Sequence, residues 1–144
     1  MKIRSKDKKI LGTILGLAYG SGATLYFLSR FIRVQTEVGE QHHASEHWVR
    51  GIHSFLTYAV ILGLGYLVKS HVVPGIKARA RRGRKSGQFL LGVFAVMVLA
   101  ALGILYFADL DWQNRAAQIH AYLGLSIPAW IAAHIWIAKR DPVY

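Results

Sequence analysis

Four stretches of this chain, residues 10–29, 51–68, 86–108 and 116–138, run for eighteen to twenty-three positions without Asp, Glu, Lys or Arg. About 20 apolar residues wound as a helix cross the roughly 30 Å of hydrocarbon in a bilayer. Each run is therefore expected to span a membrane as a helix, with bounds of about 10–31, 47–72, 86–108 and 116–138. A β-barrel would need shorter segments of alternating polarity, and these runs are continuous. Composition closes the soluble alternative: 53% of the 144 residues are hydrophobic and only 17% are charged, against about a quarter charged in an ordinary soluble chain. The expected fold class is all-α, an integral membrane four-helix bundle of up-down topology forming one domain over residues 1–144, with the lipid bilayer as its surroundings.

Charge sets the expected orientation. Lys and Arg number 18 against 7 Asp and Glu, a formal charge of +11. A nucleic-acid-binding domain is also basic, but it does not exclude charge from four long segments, so no nucleic-acid partner is expected. Basic residues gather in the N-terminal tail (Lys2, Arg4, Lys6, Lys8, Lys9), in the 73–85 loop (Lys77, Arg79, Arg81, Arg82, Arg84, Lys85) and at Lys139 and Arg140. Lys69 can snorkel toward the same side. Arg30, Arg33, Arg50 and Arg115 fall on the other side, with Glu37, Glu40, Glu46, Asp109 and Asp111. The positive-inside rule then places both termini and the 73–85 loop in the cytoplasm. The first apolar run is longer than a signal-peptide core and lacks a small-residue exit, so it is expected to be retained. Gly12, Gly16 and Gly20, spaced four apart, suggest a close helix-packing face.

The chain has no Cys. That removes disulfides, Cys-ligated iron–sulfur clusters, thiolate-bound haem and covalent C-x-x-C-H haem attachment. Histidine is left as the soft ligand, and an ionisable side chain inside hydrocarbon is a functional candidate by default. His53 and His71 lie eighteen residues apart on the second span, a step that returns to the same helix face. His120 and His134 lie fourteen apart on the fourth and return to within about 40°. Each helix thus offers two imidazoles on one stripe, about 27 Å and 21 Å apart along the axis. Two such stripes facing each other would hold a His pair near each membrane surface, the arrangement that gives a low-spin haem its two axial ligands. Arg50 and Arg115 beside the outer pair, and Lys69 beside the inner, would neutralise haem propionates. Gly63, Gly65, Gly92, Gly103 and Gly124 offer room for a flat ring or for plain helix contact.

The simpler alternative for these histidines is an interfacial or hydrogen-bonded role, most serious for His71 just before Pro74. Zinc is less favoured, since it wants three or four converging ligands and no carboxylate lies within the spans. Outside the spans, His42, His43 and His47 with Glu37, Glu40 and Glu46 form either a weak metal site or a solvated loop, and the loop is preferred. Pro128, between His120 and His134, frees the carbonyl of Gly124 and favours a kink there. A weak internal repeat pairs Leu25-Tyr26-Phe27 with Leu105-Tyr106-Phe107 and Ile52-His53 with Ile119-His120, as two helical hairpins of one design would.

Ser21-Gly22-x-x-Leu25-Tyr26-Phe27, His47-Trp48-x-x-x-x-His53, His120-x-x-x-Gly124 and His134 together resemble the prokaryotic four-helix b-type cytochromes. These include cytochrome b561-like proteins and the cytochrome b subunits of formate dehydrogenase and nickel–iron hydrogenase. The resemblance implies two haems b, with His53 and His120 on the outer one and His134 on one face of the inner. Many members draw the remaining inner ligand from the first helix; here that helix has no histidine, and His71 is the substitute within the spans. The implied function is a di-haem cytochrome of the bacterial inner membrane, carrying electrons between a quinone or redox partner on one side and a partner protein or subunit on the other. Homo- or hetero-oligomers fit so small a unit. The rival expectations are a single-haem cytochrome, a haem-free metal or proton transporter, and an anchoring subunit.

Overall fold

A computed structural model describes residues 4–37, 39–77 and 83–140. Arg79, Arg81 and Arg82 of the basic loop, and Lys2 of the tail, lie outside the described residues. Four long helices account for nearly all of the structure: α1 (Ser5–Phe31), α2 (Ala44–Leu67), α4 (Arg84–Tyr106) and α5 (Leu110–Arg140). All four are long and apolar enough to cross a membrane, α2 with the continuation described below, as in a multi-pass membrane protein.

Local signals set the helix ends. α2 starts about three residues earlier than its apolar run suggests, because the His43 ring accepts the Ser45 backbone N–H at 3.2 Å and Glu46 in the first turn complements the helix dipole. α5 likewise starts at Leu110 instead of about 116. The Asp109 carboxylate accepts the Trp112 N–H at 2.9 Å, so the cap, and not the last charge, fixes the boundary. Between α1 and α2 a short hairpin forms from β1 (Arg33–Thr36) and β2 (Gly39–His42), antiparallel, with Arg33 opposite His42. Its strands are fully exposed, and Gly39 takes a φ of +108° that favours glycine. The expected solvated loop is thus a β-ribbon.

The far end of α2 departs from regular α geometry. Val68–Val72 forms a π turn that leads into the short α3 (Val73–Lys77). Pro74 has no N–H for the carbonyl four residues back and its ring crowds that carbonyl, so a wider turn just before it relieves both problems. In a π turn each residue advances less than 100°, so His71 slips from the face it would share with His53 on an unbroken helix. α5, by contrast, remains helical through Pro128.

The chain divides into two compact units, Met1–His71 and Val72–Tyr144. In the first, α1 packs antiparallel on α2; Gly63 approaches Leu11, and the Tyr66 hydroxyl donates to Asp7 at 2.7 Å. In the second, α4 packs antiparallel on α5, where a Cβ added at Gly103 would lie 2.7 Å from the Phe107 ring and 3.0 Å from Ala116. The expected glycine face is not used this way: among the described residues nothing lies within 4 Å of a Cβ added at Gly12, Gly16 or Gly20. The close approaches are at Gly22, Gly63, Gly83, Gly87 and Gly103.

Among the described residues few side chains are buried: Ala18, Val93, Phe94, Ala100, Ala116, Ile127 and Glu46. Large apolar side chains face outward instead, including Phe55 at 75% and Leu62 at 76% exposure. Such extended apolar surface suits contact with lipid. Replacing Gly103 with Leu forces Phe107 and Ala116 apart, an overpacking cost of about 1–3 kcal/mol. Thermal unfolding in detergent should show a clear loss of stability for Gly103→Leu and little change for Gly12→Ala.

Candidate functional site

Histidines placed among apolar helices must satisfy their ring N–H without water. Stranding such a donor costs roughly 1–3 kcal/mol. All four intraspan histidines are half-buried, and three of them, His53, His120 and His134, turn Nδ1 toward an oxygen on the preceding long helix.

His53 on α2 places Nδ1 3.1 Å from the Ala18 carbonyl and 3.0 Å from Ser21 Oγ, both on α1. A carbonyl oxygen only accepts, so Nδ1 is the protonated nitrogen. The Ser21 hydroxyl spends its own proton on Ala18 O at 3.0 Å and offers the ring a lone pair. His120 on α5 places Nδ1 3.0 Å from the Met97 carbonyl on α4, with the same consequence. His134 places Nδ1 2.9 Å from Ser86 Oγ, while that hydroxyl donates to the Gly83 carbonyl at 3.0 Å. With the hydroxyl proton on the Gly83 carbonyl, the ring nitrogen is the donor. Neutral imidazole protonated at Nδ1 carries its lone pair on Nε2. All three rings therefore share one tautomer, set by the neighbouring helix.

Glycine completes two of these seats. A Cβ at Gly22 would stand 2.8 Å from Cε1 of His53, and one at Gly87 would stand 3.3 Å from Cε1 of His134. The His53 ring thus lies against backbone that only glycine leaves open, and the His134 ring sits tightly against Gly87. Ser86 and Gly87 belong to the candidate site by their contact with His134, and the sequence motifs did not include them. Their signal was present, since Ser-Gly occurs in this chain only at Ser21-Gly22 and Ser86-Gly87.

His71 differs. It sits in the π turn, and among the described residues no hydrogen bond to its ring is formed. At that open end of the first hairpin the interhelical link is Tyr66 to Asp7, with Arg4 Nε 3.1 Å from the same carboxylate oxygen. The expected propionate partners are also occupied or outward-facing. Arg50 contacts Glu46 at 2.5 Å, Arg115 stacks over Trp112 at 5.1 Å, and Lys69 is exposed in the π turn.

The histidines outside the spans go to separate partners. His42 meets Glu46 at 2.6 Å, His43 meets Ser45 Oγ at 2.7 Å, and His47 lies edge-on to Trp48. Among the described residues no three His, Asp or Glu side chains converge as a metal-holding group. Glu46, 2% exposed, is the most buried polar residue among the described residues, bridging His42 and Arg50. Arg33 lies 3.0–3.1 Å from the ring nitrogens of His42, so this network ties the β-hairpin to α2.

No family model, curated protein or solved structure matches this chain. The chemistry of the site must be taken from its own donors. An imidazole whose Nδ1–H is held by a carbonyl or hydroxyl, leaving the lone pair on Nε2, has the form in which histidine binds a metal ion. The residues fit axial ligation of haem. They fit a closed tetrahedral ion poorly, because ligands do not cluster.

Glu46→Ala leaves the β-hairpin without its anchor, at a cost of roughly 1–3 kcal/mol in local stability. Limited proteolysis should cut the 33–42 segment several-fold faster in this variant, with the four spans still protected.

Proposed function

We propose that this chain is a b-type cytochrome of the bacterial inner membrane, moving electrons through the bilayer between a quinone or redox partner on one side and a partner protein or subunit on the other. One observation carries the proposal: His53, His120 and His134 each place Nδ1 within 3.1 Å of an oxygen on the neighbouring helix, which leaves the lone pair on Nε2 when Nδ1 donates. Haem, when bound, supplies the one-electron Fe(III)/Fe(II) couple.

The chain's own residues do the rest. His53, His120 and His134 would hold the haem iron, oriented by Ala18, Ser21, Met97 and Ser86. Gly22 and Gly87 keep backbone clear beside two of the rings. The apolar helices exclude water, which favours the less charged state of a buried redox group and so bears on its potential. Two ligands on α5, fourteen residues apart, set levels about 21 Å apart along the axis, a spacing suited to passing charge through the thickness of a membrane.

Two haems per chain need a fourth ligand, which is assigned to His71. A single-haem count is the second possibility, and one observation favours it: His71 sits in the π turn without the Nδ1 anchor that the other three share.

Purified protein should show a sharp reduced alpha band, and a pyridine haemochrome assay should count one or two haems b per chain. His53→Ala, His120→Ala and His134→Ala should each lower haem content. Protein that purifies from haem-replete cells without haem, or three variants that all retain full content, would sink the proposal. Orientation can be tested separately because the chain has no Cys of its own. A cysteine placed at Gln41 should react with an impermeant maleimide in intact spheroplasts, whereas one at Lys77 should react only after permeabilisation.

A further inference from the structure

Each of the two Ser-Gly dipeptides in this chain receives a histidine from the other helix of its hairpin. At Ser21-Gly22 the guest is His53; at Ser86-Gly87 it is His134. The seats are built alike although they lie at different ends of their hairpins, the first toward the connecting turn and the second toward the open end. In both, the serine hydroxyl donates to a carbonyl three residues back at 3.0 Å and accepts the imidazole Nδ1–H, at 3.0 Å and 2.9 Å, a proton that His53 shares with the Ala18 carbonyl at 3.1 Å. In both, the following glycine leaves room for the ring edge.

We propose that Ser21 and Ser86 are positioning residues that tune the ligand strength of His53 and His134, a role that rests on the haem ligation proposed above. The physical link is short. A hydroxyl that donates to a carbonyl is polarised, and its oxygen becomes a better acceptor. A stronger acceptor on Nδ1–H gives the imidazole more imidazolate character, and the more basic Nε2 favours Fe(III) over Fe(II). The serines therefore hold the potential of their haem down. His120 provides an internal comparison, because its Nδ1–H donates to the Met97 backbone carbonyl, an acceptor that no side-chain change removes.

The test is a redox titration of the purified haem protein, with ring ¹⁵N spectra of the haem-free chain as an independent measurement. Ser21→Ala and Ser86→Ala should raise the midpoint of the bound haem. In the haem-free chain the same substitutions should move the Nδ1 resonance of His53 and His134 respectively, leaving that of His120 in place. Ser21→Thr and Ser86→Thr, which keep a hydroxyl able to bond back to the helix, should restore both quantities. Wild-type midpoints together with unchanged ring ¹⁵N shifts in both alanine variants would overturn the proposal. So would alanine variants whose shifts move while the midpoints stay, since the serines would then hold the rings without tuning them. A chain that takes up no haem would defeat the cytochrome assignment and the tuning role with it, while the ring spectra would still report whether the hydroxyls seat the imidazoles.

Discussion

An imidazole N–H among apolar helices has one way to avoid a large penalty, which is to find an acceptor on a neighbouring helix. In this chain that requirement sets the register of both hairpins. His53 reaches Ala18 O and Ser21 Oγ only if α1 and α2 meet at one offset, and His120 with His134 fixes α4 against α5 at two points. Hydrophobic contact between helices in lipid supplies little preference, since lipid chains are as apolar as leucine. Polar ties of this kind, with glycine allowing close approach, supply the preference that contact does not. The same bonds bear on the tautomer that the proposed ligation needs, so register and that chemistry would have a common origin.

Much of the fold was legible because its signal is additive. Four long uncharged runs identify four spans however the details fall. Single-residue signals are harder to weigh from sequence. His43 and Asp109 extend α2 and α5 beyond their apolar limits through one capping bond each, and a count of charges does not register a cap. The β-ribbon was equally hidden. Its eight strand residues are all exposed, so no alternation between a wet and a dry face betrays them.

The candidate site was legible in the identity of its histidines and less so in their surroundings. Phase arithmetic put His53 and His71 on one stripe, but it assumed 100° per residue throughout. Pro74 was visible, yet its consequence, a π turn that shifts His71, depends on how the helix relieves a missing N–H. The glycine stripe at Gly12, Gly16 and Gly20 was over-weighted for a related reason. Spacing shows which residues share a face and does not show which face a neighbour occupies. Gly22 and Gly87 matter instead, and each is identified by the serine before it and the ring above it.

The two hairpins are therefore alike at one level and different at the other. Near their connecting turns, His53 and His120 donate Nδ1–H to carbonyls at Ala18 and Met97, each a short way before a Leu-Tyr-Phe triplet, and the internal repeat has its structural meaning there. At the open ends the repeat fails. The second hairpin closes with His134 on Ser86, whereas the first closes with Tyr66 on Asp7, and its remaining histidine lies beyond, in the π turn. A phenol on a carboxylate ties helices together but offers no ligand nitrogen. The first hairpin thus carries a structural clasp at the end where the second seats an imidazole.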